Sequence, residues 1–376
     1  MRRKIYQELL QWKQRSGESA LLVQGARRVG KSYIVEAFAK AEYKSYILID
    51  FNLVDQPVKE MFEHDLVDLK TFFMKLTTYY GVKLYERESL IIFDEVQLFP
   101  RARSAIKYLV ADGRYDYIET GSLISIRENV KDILIPSEED HVDMYPLDFE
   151  EFLFANGMNE TVISAMRQKF DKLESLEESM HDKMMDLFRK YLIVGGMPQA
   201  VNAFVKHNDF DEVDRVKRRI LNLYRDDIRK HAKGYEMKVE AIYDEIPSQM
   251  KNQNQHFKLS SLKQGARFDE YKDAMFWLSD AMIVNHCYNA TEPTFGLNLN
   301  RDRTLLKCYM GDTGLLISHA FDENGIVTGE VYKKLLLDKL EVNMGMVMEN
   351  MVAQMLTASG HKLYFYSNSS RSDASS

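Results

Sequence analysis

One eight-residue stretch constrains this chain more than any other: GARRVGKS, from Gly25 to Ser32. It fits the pattern G-x-x-x-x-G-K-[ST], the signature of a loop that wraps phosphate. At average residue frequencies such a match arises by chance in a chain of this length about once in a hundred sequences. Its surroundings narrow the reading, because the apolar run LLVQ precedes it and the amphipathic SYIVEAFAK follows it. The order is therefore strand, loop, helix. Glycines let the backbone curl so that consecutive N–H groups face one anion, and the helix start adds partial positive charge at the same point. Lys31 is expected to reach the β- and γ-phosphates of a nucleotide, and the Ser32 hydroxyl to bind Mg²⁺. Gly25, Ala26, Arg27, Arg28, Val29, Gly30, Lys31, Ser32 and Tyr33 form the expected nucleotide-binding segment. An ordinary strand-to-helix turn needs none of these particular residues.

LIIFDEVQ, Leu90 to Gln97, is an apolar run that ends in two carboxylates. Alone it is weak, since strand ends are often acidic; one strand downstream of a phosphate loop it is specific. Asp94 is expected to hold Mg²⁺ through a coordinated water, and Glu95 to orient and polarise an attacking water. The second carboxylate favours hydrolysis over phosphorylation of a small molecule, because a kinase keeps water from the γ-phosphate. YIETGS then places Thr120 and Ser122 at the end of the next strand, where either hydroxyl can meet the γ-phosphate or the water; capping of a following helix is the plainer alternative. Lys31, Glu95, Thr120 and Ser122 are thus the candidate catalytic set, and Ser32 with Asp94 the candidate metal set. No N-K-x-D element reads guanine, so ATP is favoured over GTP. Trp12 and Tyr6 are expected to pack in the core rather than against adenine. Arg225 and Arg229 can supply a charge-stabilising finger across an oligomer interface. Opposite the apolar stripe Ile220, Leu223, Tyr224 and Ile228, a solvated basic face is the stronger reading for either one.

Apolar runs and longer amphipathic segments alternate over residues 1–150, the pattern of an α/β fold with a parallel sheet covered by helices. Strands are expected at Ala20–Gln24, Tyr46–Phe51, Leu90–Phe93 and Tyr115–Glu119, with a weaker one at His141–Tyr145. Helices are expected at Lys31–Lys40, Val58–Tyr80 and Arg101–Ala111. Residues 151–250 read as helical throughout, with Val162–Leu176, Lys183–Tyr191, Pro198–Lys206 and Asp211–Lys230 the clearest segments. In 251–325 two short helices, Leu259–Gln264 and Phe268–Leu278, precede strand-like Ala281–Tyr288 and Leu305–Tyr309, the outline of a winged helix. Its second helix carries four acidic residues in FDEYKDAMFWLSD, so at most a weak DNA contact through Arg301, Arg303 and Lys307 is expected. Residues 326–376 hold one helix, Val342–Ala358, and one strand, Lys362–Tyr366.

The 376 residues carry a formal net charge of −7, which argues against a chain built to coat nucleic acid. At 45% hydrophobic and 28% charged they supply more than one core. Two cysteines, Cys287 and Cys308, are too few for a disulfide framework and fit a reducing cytoplasm; with His286 they lack the second pair of a zinc site. No segment approaches the ~18–20 apolar residues of a membrane span.

GARRVGKS, LIIFDEVQLFPRA, YIETGS, MYPLDFEEFL, YLIVGGMPQAV, YMGDTGLL and GMVMENMVAQML, in this order, resemble a family of prokaryotic AAA-type ATPases. The resemblance covers nearly the whole chain. It implies an AAA-like P-loop ATPase domain, a helical lid, a winged-helix domain and a C-terminal segment similar to PD-(D/E)xK nucleases. By it, Lys31 and Ser32 bind nucleotide and magnesium, Asp94 and Glu95 form the second motif, and Gly121-Ser122 serves as sensor. Glu349 matches the early helical glutamate of the nuclease pattern, but no Asp and Glu-x-Lys strands follow Tyr366. Two-metal cleavage needs clustered carboxylates, so no nuclease activity is expected of this chain. The combined expectation is a Mg²⁺-dependent ATPase that regulates or remodels an unidentified protein partner, acting alone or as a homo-oligomer. The alternative is a nucleotide-gated DNA-binding switch with slow hydrolysis.

Overall fold

The computed structural model describes residues 1–15, 17–121, 137–251, 256–292, 294–321 and 344–367. They fall into two units, Met1–Tyr145 and Pro146–Ser376.

In the first unit, helix α1 (Ile5–Gln14) leads into β1 (Ala20–Gly25), α2 (Lys31–Glu42), β2 (Ser45–Asp50), α3 (Gln56–Glu60), α4 (Leu69–Tyr80), β3 (Ser89–Asp94), α5 (Pro100–Asp112), β4 (Asp116–Gly121) and β5 (Glu139–Met144). All five strands pair in parallel, in the order β2-β3-β4-β1-β5. Every residue of β3 and of β4 is buried, as befits strands covered on both faces. One face carries Ile47, Ile49, Ile91, Phe93 and Tyr117 against α3, α4 and α5. Phe51, Phe62, Phe72 and Phe93 meet there edge to face, with centroids 5.1–5.8 Å apart, geometry that adds to simple burial. Trp12 and Tyr6 are packing residues: the Trp12 indole donates to the Ser19 carbonyl at 3.1 Å, and Tyr6 stands edge-on to Phe38 while donating to Glu42 at 2.8 Å.

The single helix expected over Val58–Tyr80 is broken. After α3 comes one π-helical turn, Met61–Asp65, and α4 restarts at Asp68, whose carboxylate accepts from the N–H groups of Lys70 and Thr71. The apolar periodicity runs across the break, but Asp68 offers the backbone a cap that competes with helix continuation.

The second unit begins with helices α6 (Phe149–Ala155), α7 (Glu160–Asp171), α8 (Glu178–Val194), α9 (Pro198–His207), α10 (Phe210–His231) and α11 (Glu236–Lys251). Only a 3-10 turn, Leu259–Ser261, stands where a helix over Leu259–Gln264 was expected. Helix α12 (Phe268–Asp280) follows, then β6 (Val284–Ala290) and β7 (Arg301–Met310), an antiparallel ribbon. After α13 (Thr313–Ala320) and α14 (Met344–Ala358), the short β8 (Leu363–Phe365) pairs in parallel with β6 and completes a three-stranded sheet. Cys287 and Cys308 are buried free thiols in this sheet.

Four motif stretches meet in the second unit at one backbone crossing. The Gly196 N–H donates to Asp312 at 2.6 Å, and Asp312 also caps α13 through Leu315 N–H. Gln354 accepts from the N–H and hydroxyl of Thr313 and donates to the Tyr191 hydroxyl, which donates to the Leu147 carbonyl. A Cβ on Gly196 would lie 2.0 Å from the Leu147 carbonyl oxygen, so no other residue fits without moving backbone. Gly196→Ala is expected to lower the unfolding free energy of this unit by about 1–3 kcal/mol, the cost of overpacking a close contact, read as an earlier chemical-denaturation midpoint.

Candidate active site

The carboxyl ends of β1, β3 and β4 are neighbours in the sheet, and each contributes to one site. The loop after β1 runs from Ala26 to Gly30, with Gly30 left-handed at the start of α2. Lys31 is buried and turns back over the loop, its Nζ donating to the carbonyls of Gly25 at 2.9 Å and Ala26 at 3.1 Å. Ser32 Oγ donates to Asp94 Oδ1 at 2.8 Å. Thr120 Oγ1 also donates to Asp94 Oδ1 and accepts from the Glu95 N–H at 3.3 Å. A continuous chain of donors thus runs from the Glu95 backbone through Thr120 to Asp94, with Ser32 converging from the other side.

Two non-glycine residues of this site have left-handed backbones: Arg28, φ 72°, and Glu95, φ 53°. Such conformations cost about 1–3 kcal/mol and persist where surrounding contacts over-determine them. At Glu95 those contacts are the bond to Thr120, Leu98 N–H donating to the Glu95 carbonyl, and the Gln97 amide donating to the Glu95 carboxylate. Gln97 was not singled out in the sequence, although it lies within the same motif. Arg27, Arg28 and Tyr33 are exposed on the loop and the first turn of α2, while Ala26 and Val29 are buried. Ser122 lies outside the described residues.

The donors that meet at Asp94 fit Mg²⁺. Hydroxyl and carboxylate oxygens are the hard ligands this ion prefers, and it takes its remaining ligands from water and phosphate. Ser32 and Asp94 would hold it. Among the described residues no group of three or more His, Cys, Asp or Glu side chains could form an all-protein metal cage. The candidate arginine fingers of the second unit are engaged: Arg225 pairs with Asp244 at 2.9 Å and Arg229 with Glu240 at 2.8 Å, both α10-to-α11 contacts.

Behind Thr120, on the opposite face of β4, is a buried ionic cluster. Successive strand residues alternate faces, so Glu119 points away from the site. Glu119 is wholly buried, and burial together with the neighbouring Glu139 carboxylate holds its pKa well above the ordinary range. Burial alone would raise Glu139 too, but hydrogen bonds from His141 and Arg103 outweigh it and bring Glu139 down to about 2. His141, 2.7 Å from Glu139, is shifted upward by that hydrogen bond.

Residues 17–153 match the family described as AAA domain, and residues 185–324 match a domain of unknown function (DUF8612). The match to AAA domains spans nearly all of the first unit. No curated protein matches the chain. Among solved structures, the Walker-type ATPase PABY2304 of Pyrococcus abyssi is 13% identical, covering 85% of this chain and 95% of its own, with a TM-score of 0.49. AMPPCP-bound DnaA from Aquifex aeolicus is 11% identical over 74% and 89% of the two chains, TM-score 0.33. Orc1 of Aeropyrum pernix in complex with DNA is 10% identical over 87% and 94%, TM-score 0.31.

The ionic cluster sets a pH dependence. A carboxyl whose folded pKa is raised costs stability once the unfolded chain ionises, above about pH 4.5. A histidine whose folded pKa is raised contributes stability below about pH 6.5 and loses it as pH rises through the folded value. Both act in the same direction, against stability at alkaline pH. Glu119→Gln keeps the side chain's size and removes its ionisable group. It is expected to raise the melting temperature more at pH 8 than at pH 5 in paired thermal scans.

Proposed function

We propose that the first unit binds ATP with Mg²⁺ and hydrolyses it to ADP and phosphate. The observation that supports this reading best is the convergence of Ser32, Asp94, Thr120 and Glu95 at the mouth of the phosphate loop. Lys31 and the loop N–H groups would neutralise the β- and γ-phosphates. Ser32 and Asp94 would carry the ion, which would supply positive charge to offset the charge on the phosphates. Glu95 would leave Gln97, accept a hydrogen bond from water and aim its oxygen at the γ-phosphorus. Thr120, fixed between Asp94 and the Glu95 backbone, would keep that carboxylate in register with the ion. Phosphoryl transfer depends mainly on positioning and charge stabilisation, and these groups supply both.

The output is read as regulation or remodelling of a protein partner by the second unit, whose helices are the lid. The segment expected as a winged helix, 251–325, carries a 3-10 turn in place of its first helix, then α12 and the β6–β7 ribbon. Asp269, Glu270, Asp273 and Asp280 on α12 make that helix a poor match for a DNA groove. With Arg225 and Arg229 held by acids of their own unit, a stabilising arginine would come from elsewhere, as in a homo-oligomer.

Isothermal calorimetry with ATP and Mg²⁺ tests the reading. Wild-type protein is expected to bind and Lys31→Ala to lose most of the affinity; absence of wild-type binding would overturn the proposal. Glu95→Gln is expected to retain ATP binding and to slow phosphate release by about 10²–10⁴-fold, the contribution of a positioned base.

A further inference from the structure

Arg3 lies far in sequence from the phosphate loop, and its side chain is drawn into it. The guanidinium is buried, with 7% of the residue exposed. Nη1 donates to the Val29 carbonyl at 3.1 Å, and Nη2 donates to the Tyr145 carbonyl at 2.6 Å. Val29 belongs to the loop, and Tyr145 is the last residue of the first unit, just beyond β5. A second contact joins the same two places. Gly25 pairs in register with Met144, and a Cβ on Gly25 would lie 2.3 Å from the Met144 carbonyl oxygen. The loop is therefore pressed against the exit of β5 at Gly25 and tied to it through Arg3 at Val29.

The residue before Val29 is Arg28, with its left-handed backbone. A side chain costs energy in that conformation where glycine would not. Fixing the Val29 carbonyl removes the freedom through which the chain around Arg28 would relax. A planar guanidinium suits the task because its donors form a rigid fork able to reach two carbonyls at once; an ammonium is a single point.

We propose that Arg3 is a positioning residue for the nucleotide site: it holds the phosphate loop in its strained, curled form and ties that loop to the end of β5. This rests on the reading of the loop as an ATP site. With Arg3 in place the loop N–H groups are set before nucleotide arrives. Without it, part of the binding energy is spent on ordering the loop, so affinity falls.

The test is a double-mutant cycle on ATP affinity, measured by calorimetry with Mg²⁺ for wild type, Arg3→Ala, Arg3→Lys, Arg28→Gly and the Arg3→Ala/Arg28→Gly pair. Arg3→Ala is expected to weaken ATP binding by about tenfold or more, the scale of a lost charge-assisted hydrogen bond. Arg3→Lys is expected to fall between it and wild type. The loss is expected to shrink several-fold in the Arg28→Gly background, because glycine holds the left-handed conformation unaided. Equal losses in both backgrounds, or Arg3 variants that bind like wild type, would overturn the proposal. Should Arg3→Ala fail to fold, Arg3→Lys with and without Arg28→Gly gives the same comparison. Hydrogen exchange of the amides from Ala26 to Gly30, read without nucleotide, is expected to quicken in the Arg3 variants; unchanged exchange would sink the idea. A wild type that bound no ATP would overturn the ATP reading, and the exchange data would still decide whether Arg3 holds the loop.

Discussion

The carboxylate of Asp94 is the point on which the first unit depends. It accepts a hydrogen bond from Ser32 at the start of α2 and another from Thr120 at the end of β4, while its own backbone ends β3. Hydrogen bonds to a charged acceptor are roughly twice as strong as neutral ones, so this oxygen fixes the relative position of three elements. The sheet order makes it possible, because β3, β4 and β1 are adjacent and their carboxyl ends open on the same side. Open α/β sheets bind ligands at that side.

The second unit spends its polar residues differently. Asp312, Thr313, Asn350 and Gln354 are buried and bonded chiefly to backbone and to one another. Lys217, also buried, donates to the Ile193 carbonyl, and burial lowers its pKa to about 8. The stretches YLIVGGMPQAV, YMGDTGLL and GMVMENMVAQML are thus legible as one packing arrangement: two glycine-containing chain segments cross at near-contact distance, and the amide side chains of α14 satisfy the groups left over. Glu349 on the same helix accepts from Lys307 and Tyr309 of β7 at 2.6 and 2.7 Å, a link between helix and sheet.

Local chemistry made much of this readable in advance. Of the four apolar runs expected as strands, β1, β3 and β4 are buried on both faces, which leaves a continuous apolar signal, while the edge strand β2 buries only Ile47 and Ile49. Asp94, Glu95, Lys31, Ser32 and Thr120 stood out because phosphate and metal chemistry demand those residue types next to such strands. Long-range and competing effects were not readable. Arg3 is 26 positions from Val29 and 142 from Tyr145, and nothing in MRRKIYQ marks which arginine turns inward. The break at Asp68 lay hidden because α3 and α4 bury the same apolar face. Helix α11 falls in the stretch read as helical, but its bounds were not legible because Pro247 lies within it; burial of Ile242, Tyr243 and Ile246 overrides that local penalty.

The sheet also has an outer boundary with a chemical character of its own. β5 stands at one edge, and the described residues place no strand beyond it. Its sequence, Glu139-Asp140-His141-Val142-Asp143-Met144, sets two carboxylates outside the core along the open ladder, Asp140 and Asp143, while Glu139 turns into the buried cluster. An unpaired edge invites another chain to add to it, and charge is how such edges are kept from doing so. At neutral pH that row repels its own kind, so association of two sheets edge to edge is disfavoured.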